Sequence, residues 1–339
     1  RRQAFAGVNA DDSRIAMDRR IMAKKSRHRM RAQMNRRVLI LGMGGHFGSV
    51  AARAFRAAGW NVDRYHRGTD MAVAARGVRW IINAMNPPNY HDWAHQIPQI
   101  TSQVLSAARD SGASVMVPAN VYVYGREPSP WRADTPHHPC SRKGRIRAKM
   151  EERYREHAAE GRSVVFLRAG DFVNPESPDT LLNRVVLKNV RKGRITAMGK
   201  PEAQRVYADL ADLTQVAVSL ADTADSLPGL LDLGYPGTRF SFREMADELA
   251  GQLGREIAIK RFPWTALLLA SPVWELAREL REMRYLYDMD HRIDGTDFEA
   301  LFPDFEPKTL QRLVFEHLYM RGMKVVPDHG AKMSTQTSL

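Results

Sequence analysis

The stretch Val38 to Ser49, VLILGMGGHFGS, limits the fold more than any other part of this chain. An aliphatic run closed by glycine suits a parallel strand buried on both faces. Directly after it, Phe47, Val50, Ala51, Ala54, Phe55 and Ala58 recur at the spacing of one apolar helix face. The glycines Gly42, Gly45 and Gly48 therefore fall in a strand-to-helix turn. Glycine there lets the backbone bend sharply and approach a diphosphate, whose charge would face free amides at the helix start. The loop Gly42, Gly45, His46, Phe47 and Gly48 is thus expected to hold a dinucleotide.

The end of the next strand, read as Asn61 to His66, decides which dinucleotide fits. A carboxylate at this tip suits the ribose 2′-hydroxyl of NAD, whereas arginine can meet the 2′-phosphate of NADP. Here the tip falls at His66 and Arg67, with Arg64 nearby and Asp63 pointing the other way. NADP is the expected cofactor and NAD the second choice. Only 12 residues separate Arg67 from Trp80, too few for another strand and helix. Arg79 to Ala84 reads as a buried strand, with Ala84 placed at the cofactor, and Asn86-Pro87-Pro88 forces a loop beside the cleft. Ile97, Ile100, Val104, Leu105 and Ala108 then share a helix face ended by Gly112, and Ser114 to Pro118 forms another strand.

The run Asn120 to Gly125, NVYVYG, resembles the strand end and VYG turn of the extended short-chain dehydrogenase/reductases, the NAD-dependent epimerase/dehydratase group. Other pieces follow in that family's order. They are GxxGxxG at Gly42, Gly45 and Gly48, the RAGDFVNP string at Arg168 to Pro175, and a helix start at Tyr207 to Asp212. The resemblance covers about Val38 to Leu318. It implies an α/β fold, a Rossmann-type doubly wound parallel sheet with a smaller, mainly helical C-terminal substrate lobe. The organisation expected is a basic arm over 1–36, a nucleotide-binding core over 37–175, remaining core elements and lobe over 176–325, and a tail over 326–339.

The chain departs from the family where the chemistry should be. Lys143 to Glu151, KGRIRAKME, overlays the family's YGxSK helix with Lys143 at the tyrosine, Arg147 at the lysine and Asn120 at the serine. The resemblance then implies that Arg147 bonds the nicotinamide ribose. Lys143, desolvated beside that fixed charge, could pass a proton near neutral pH. Asn120 can donate a hydrogen bond to a substrate carbonyl. Tyr122 is an alternative acid, whereas Tyr124 matches a packing tyrosine. Phe172 is implied near the nicotinamide. Asp171 stands where the family has a substrate-facing Asn, and either contacts a substrate hydroxyl or amine or caps its turn. The exchange of KxxxR for YxxxK leaves two functions open. One is an atypical reductase or epimerase acting on a small, sugar-nucleotide-like carbonyl or hydroxyl compound. The other is a non-catalytic NADP-binding sensor.

Charge does not redirect this view. The formal net charge of +13 looks like a nucleic-acid signal, but residues 1–37 carry 12 Lys and Arg against 3 Asp, leaving 39 against 35 in the rest. Nucleic acid is not the expected partner; a small-molecule substrate is, with a homodimer as the candidate assembly. Cys140 stands alone, so no internal disulfide forms, and no run reaches the length needed to span a bilayer. A cytoplasmic protein without membrane partners is expected. His91, Asp92 and His95 lack a further ligand, so no metal is expected. In the C-terminal third, Ser241 and Glu244 form a capping box, and WELARELREMRYLY (Trp274 to Tyr287) reads as a lid, with Trp274, Met283 and Tyr285 in its core.

Overall fold

The computed structural model describes residues 36–87, 91–223, 226–272 and 274–326. Of the expected arm and tail, only Arg36 and Val326 are among them. The strands are β1 (Arg37–Leu41), β2 (Asn61–Arg64), β3 (Trp80–Asn83), β4 (Ser114–Ala119), β5 (Val164–Arg168) and β6 (Asp171–Val173). They continue with β7 (Arg194–Ala197), β8 (Arg205–Asp209), β9 (Leu230–Gly234), β10 (Thr238–Phe240) and β11 (Ala258–Arg261). The helices are α1 (His46–Ala57), α2 (Met71–Ala74), α3 (Trp93–Ser111), α4 (Arg142–Ala159), α5 (Leu210–Asp222) and α6 (Phe242–Leu253). After these come α7 (Trp264–Ala270), α8 (Glu275–Glu282), α9 (Tyr285–Asp288), α10 (Thr296–Leu301) and α11 (Leu310–Met320).

The central sheet has the order β2-β1-β3-β4-β5-β9 and is parallel throughout. Its apolar runs are continuous because both faces are covered. From β1, Val38 and Ile40 enter the core under α1 and α5, while Leu39 and Leu41 enter the opposite core under α2, α3 and α4. This is the Rossmann-type α/β fold. The one-turn α2 takes the place of a further strand and helix between β2 and β3, as the short spacing required. The chain passes from β1 to β2 on one side and then to β3 on the other. A crevice opens at that reversal, beyond the C-terminal strand ends.

A second sheet, β10-β8-β6, carries the core of the C-terminal lobe, where Val173, Tyr207 and Phe240 meet α6 and α11. The capping box forms as expected, with Ser241 Oγ accepting from the Glu244 N–H and the Glu244 side chain accepting from the Ser241 N–H. Two expectations need correction. Strand β2 stops at Arg64, because His66 O accepts the Thr69 N–H (3.1 Å) in a turn. Met283 and Tyr285 are buried, but Trp274 is 49% exposed.

Candidate functional site

The crevice is floored by the loop between β1 and α1. Gly42 takes φ +78°, and a Cβ there would lie 2.7 Å from Ala84 O at the end of β3. A Cβ on Gly48 would lie 2.2 Å from Gly42 O, so loop and helix touch backbone to backbone. Above Gly44 the space is open, with no heavy atom within 4 Å of a built Cβ. Gly45 caps α1 without a side-chain acceptor, and no acidic residue stands in the first turn. The first-turn amides and the positive end of the helix dipole are left for an anion. Phe47 and Phe172 meet with ring centroids 6.1 Å apart, and Ala84 packs on the same core. Exposed His46 places Nδ1 3.3 Å from Ser177 Oγ. All the predicted cofactor-loop residues, with Ala84 and Phe172, therefore gather at one end of the sheet.

Beside the loop lies a cavity of about 330 Å³, walled by Tyr65, Arg67 and Thr69 after β2, by Met85 to Pro87 after β3, and by α3. Arg67 belongs to this wall, in the turn that follows β2 and not on the strand itself. Of the carboxylates on either side in sequence, Asp63 is held by Arg37 Nε at 2.6 Å and Asp70 caps α2 by accepting from the Ala72 and Val73 N–H groups. Sequence reasoning missed the α3 side of the cavity. Gln96, Gln99 and Gln103 line it at i, i+3 and i+7, a polar stripe visible in the sequence once the apolar face of the same helix is assigned.

The predicted catalytic residues separate into two groups. Asn120 and Tyr122 sit together after β4, half-buried. Asn120 Oδ1 accepts the Tyr122 N–H (3.0 Å), which leaves the amide nitrogen as its donor. Arg168 fixes this segment from below. Its Nη1 donates to Asn120 O (2.7 Å), and its guanidinium meets Glu151 of α4 and Asp232 of β9 at 2.7 and 2.8 Å. Burial opposes the Arg168 charge, but the two carboxylates outweigh burial and hold its pKa well above the ordinary value. Tyr124 packs as expected, donating its hydroxyl to Arg132 O (3.0 Å).

Lys143 and Arg147 behave differently from the simple picture of a lysine activated by a neighbouring cation. Lys143 has no exposed side-chain surface. Its Nζ donates to Glu279 O (2.9 Å) and pairs with the carboxylates of Glu279 and Glu282 (the latter at 2.9 Å), all from α8. Arg147 lies over Trp93 at 4.8 Å and donates from Nη2 to Asn86 Oδ1 (3.0 Å), which joins α4 to the cavity wall. These acidic and aromatic partners come from distant segments, which no local string could reveal.

Asp171 is a strand residue rather than a turn cap, paired with Tyr207 across β6 and β8. It faces the lobe, 3.9 Å from Arg205 Nη1, with 39% of the side chain open. Burial pushes its carboxyl pKa up, against the opposing pull of Arg205. Arg205 itself is buried among Tyr207, Phe242 and Tyr287, 4.4 to 5.0 Å from their rings. The two histidines before and within α3 have carboxylate partners: His91 meets Glu275 at 3.0 Å and His95 meets Asp92 at 2.6 Å.

No family model matches this sequence, and no curated protein matches it. Solved structures do. MoeE5, solved in complex with UDP-glucose and NAD, aligns with a TM-score of 0.68 at 16% identity, over 84% of this chain and 98% of its own. A UDP-glucose 4-epimerase from Brucella ovis in complex with NAD gives 0.66 at 16% identity over 86% and 99%. A nucleoside-diphosphate-sugar epimerase from Pseudomonas aeruginosa gives 0.62 at 17% identity over 84% and 96%. The likeness is one of fold.

Proposed function

We propose that this chain binds a pyridine dinucleotide, NADP in preference to NAD, and acts as a reductase or epimerase on a small carbonyl or hydroxyl compound of sugar-nucleotide type. The observation that carries the reading is the glycine cradle: backbone contact between Gly42, Ala84 and Gly48 beneath open space over Gly44. It leaves room for a diphosphate where the α1 amides point. The adjoining 330 Å³ cavity suits an adenosine, with Arg67 at its 2′-position. Two of the structural relatives were solved with NAD, which supports the class of cofactor and leaves the preference to Arg67.

The bound nucleotide would supply hydride chemistry. The chain's own residues supply the rest. Asn120 donates to the substrate oxygen, Tyr122 is the proton donor within reach of the same loop, and Asp171 takes a substrate hydroxyl or amine. Arg147 positions the nucleotide-side wall through Asn86. Lys143 serves as a proton donor only if α8 lifts from it, since the docked helix covers its Nζ.

That burial also favours a second reading, an NADP-binding sensor in which the KxxxR exchange has ended catalysis. A panel of ketones and aldehydes followed by NADPH absorbance, and of nucleotide sugars followed by chromatography of the products, because epimerisation returns the hydride and leaves the absorbance unchanged, separates the two. Turnover that falls on Tyr122→Phe but survives Lys143→Met supports the enzyme with Tyr122 as the acid. NADPH binding without turnover on any member of the panel supports the sensor.

A further inference from the structure

Helices α7 and α8 form a hairpin whose two faces differ in chemistry. On α8, Glu275, Glu279 and Glu282 follow at i, i+4 and i+7, and each is turned to a basic side chain of the nucleotide-binding core. Glu275 meets His91 at 3.0 Å, and Glu279 and Glu282 meet Lys143. The arginines take the other side. Arg278 Nη1 donates to Ser271 O (3.1 Å), Arg281 Nη1 to Ser271 Oγ (2.8 Å), and Arg284 lies over Trp264 at 5.6 Å. Arg278 and Arg281 therefore border the turn of the hairpin, whereas Arg284, which also pairs with Asp288 at 3.4 Å, lies beside the start of α7.

At that turn the apolar side chains point outward. Leu267 anchors α7 at 9% exposure, but Leu268 is 50%, Leu269 82% and Trp274 49% exposed. Trp264, Thr265, Leu268, Arg281 and Arg284 enclose a shallow hollow of about 190 Å³. Single exposed leucines are ordinary; two adjacent leucines and a tryptophan bordered by guanidinium groups form a patch that calls for an occupant. The complementary occupant is apolar in depth and negatively charged at its surface.

We propose that this hairpin docks on an anionic lipid surface. Leu268 and Leu269 enter the boundary between headgroups and acyl chains, Trp274 lies at the interfacial level, and Arg278, Arg281 and Arg284 meet lipid phosphates, while Trp264 anchors the hairpin to the fold by donating to Met198 O (2.6 Å). A leucine pair that protrudes this far suits a fluid surface, whereas a protein partner would need a matching groove. The attachment is peripheral. No helix among the described residues is long and apolar enough to cross a membrane, and the proposal of docking goes beyond the expectation of no membrane partner. The inference stands independently of dinucleotide binding.

The test is sedimentation of the full chain with vesicles of phosphatidylcholine, alone or with about one-third phosphatidylglycerol. Because residues 1–37 are themselves basic, the deciding variant is Leu269→Asp, whose wild-type side chain is too exposed to support the fold. Wild type should bind the anionic vesicles, and the variant should partition about tenfold less with an unchanged melting temperature. Three results would overturn the proposal: no vesicle binding, binding that Leu269→Asp retains in full, or a dimer in solution that Leu269→Asp dissociates.

Discussion

Replacing Gly48 with alanine probes the cradle most sharply. The added Cβ would stand 2.2 Å from Gly42 O and 2.8 Å from Gly42 C, both backbone atoms. Optimal separation is about 3.5 Å, so loop and helix must part by about 1 Å. Overpacking of this kind costs about 1–3 kcal/mol of stability. The same displacement moves the amides that would face the diphosphate. Hydrogen bonds to a charged group are worth about 1.5–3 kcal/mol each, so misplacing one should weaken NADPH binding about ten- to hundredfold. The assay is NADPH fluorescence titration beside a thermal melt. Gly44→Ala is the companion: its Cβ meets nothing within 4 Å, so stability should hold while the methyl intrudes on the space above the loop and affinity falls. Gly48→Ala protein that melts like wild type and binds NADPH as tightly would refute the reasoning.

Other expectations follow from the same geometry. Arg67→Asp should lower NADPH affinity by about tenfold or more and leave NADH affinity little changed, measured as the ratio of the two dissociation constants. Removing both carboxylates that hold Lys143, in Glu279→Ala/Glu282→Ala, strips a buried cation of these two ion pairs and should cost about 3–5 kcal/mol in a denaturant titration; an unchanged midpoint would contradict the pairing. Burial raises the Asp232 carboxyl pKa, but Arg168 and then Arg155 overcome that and hold it below the ordinary range. Its share of stability is therefore complete above about pH 4, its unfolded value, and is lost as pH falls through the depressed folded value; Asp232→Asn should flatten that acid limb. Burial, with Arg205 and Arg239 nearby, lowers the His291 pKa to about 3. The unfolded chain then binds the extra proton between about pH 6.5 and 3, so stability should fall as pH drops through that window, and His291→Phe should reduce the slope.

The parts of this molecule fixed by neighbours in sequence were legible beforehand. The β1 run could only be a strand covered on both faces, its alternating residues do enter two cores, and the 12 residues before Trp80 did leave room for only a one-turn helix. The gathering of Phe172 with Gly42, Phe47 and Ala84 was implied by the family resemblance and not by neighbours in sequence. The environment of Lys143 was implied by neither, because its carboxylates come from Glu279 and Glu282, more than 130 residues away. The exposure of Trp274 was equally hidden, since an apolar residue in an amphipathic string carries no mark of whether a neighbour covers it. Asp171 shows a third limit. Its strand position and its distance to Arg205 depend on β6 pairing with β8 in the second sheet, a contact between segments well separated in sequence.

Calorimetric titration of the full chain with NADPH and with NADH tests the central claim directly. Single-site binding of both, tighter for NADPH, is the predicted result; absence of heat with either nucleotide up to millimolar concentration would contradict the account of the cradle and its cavity.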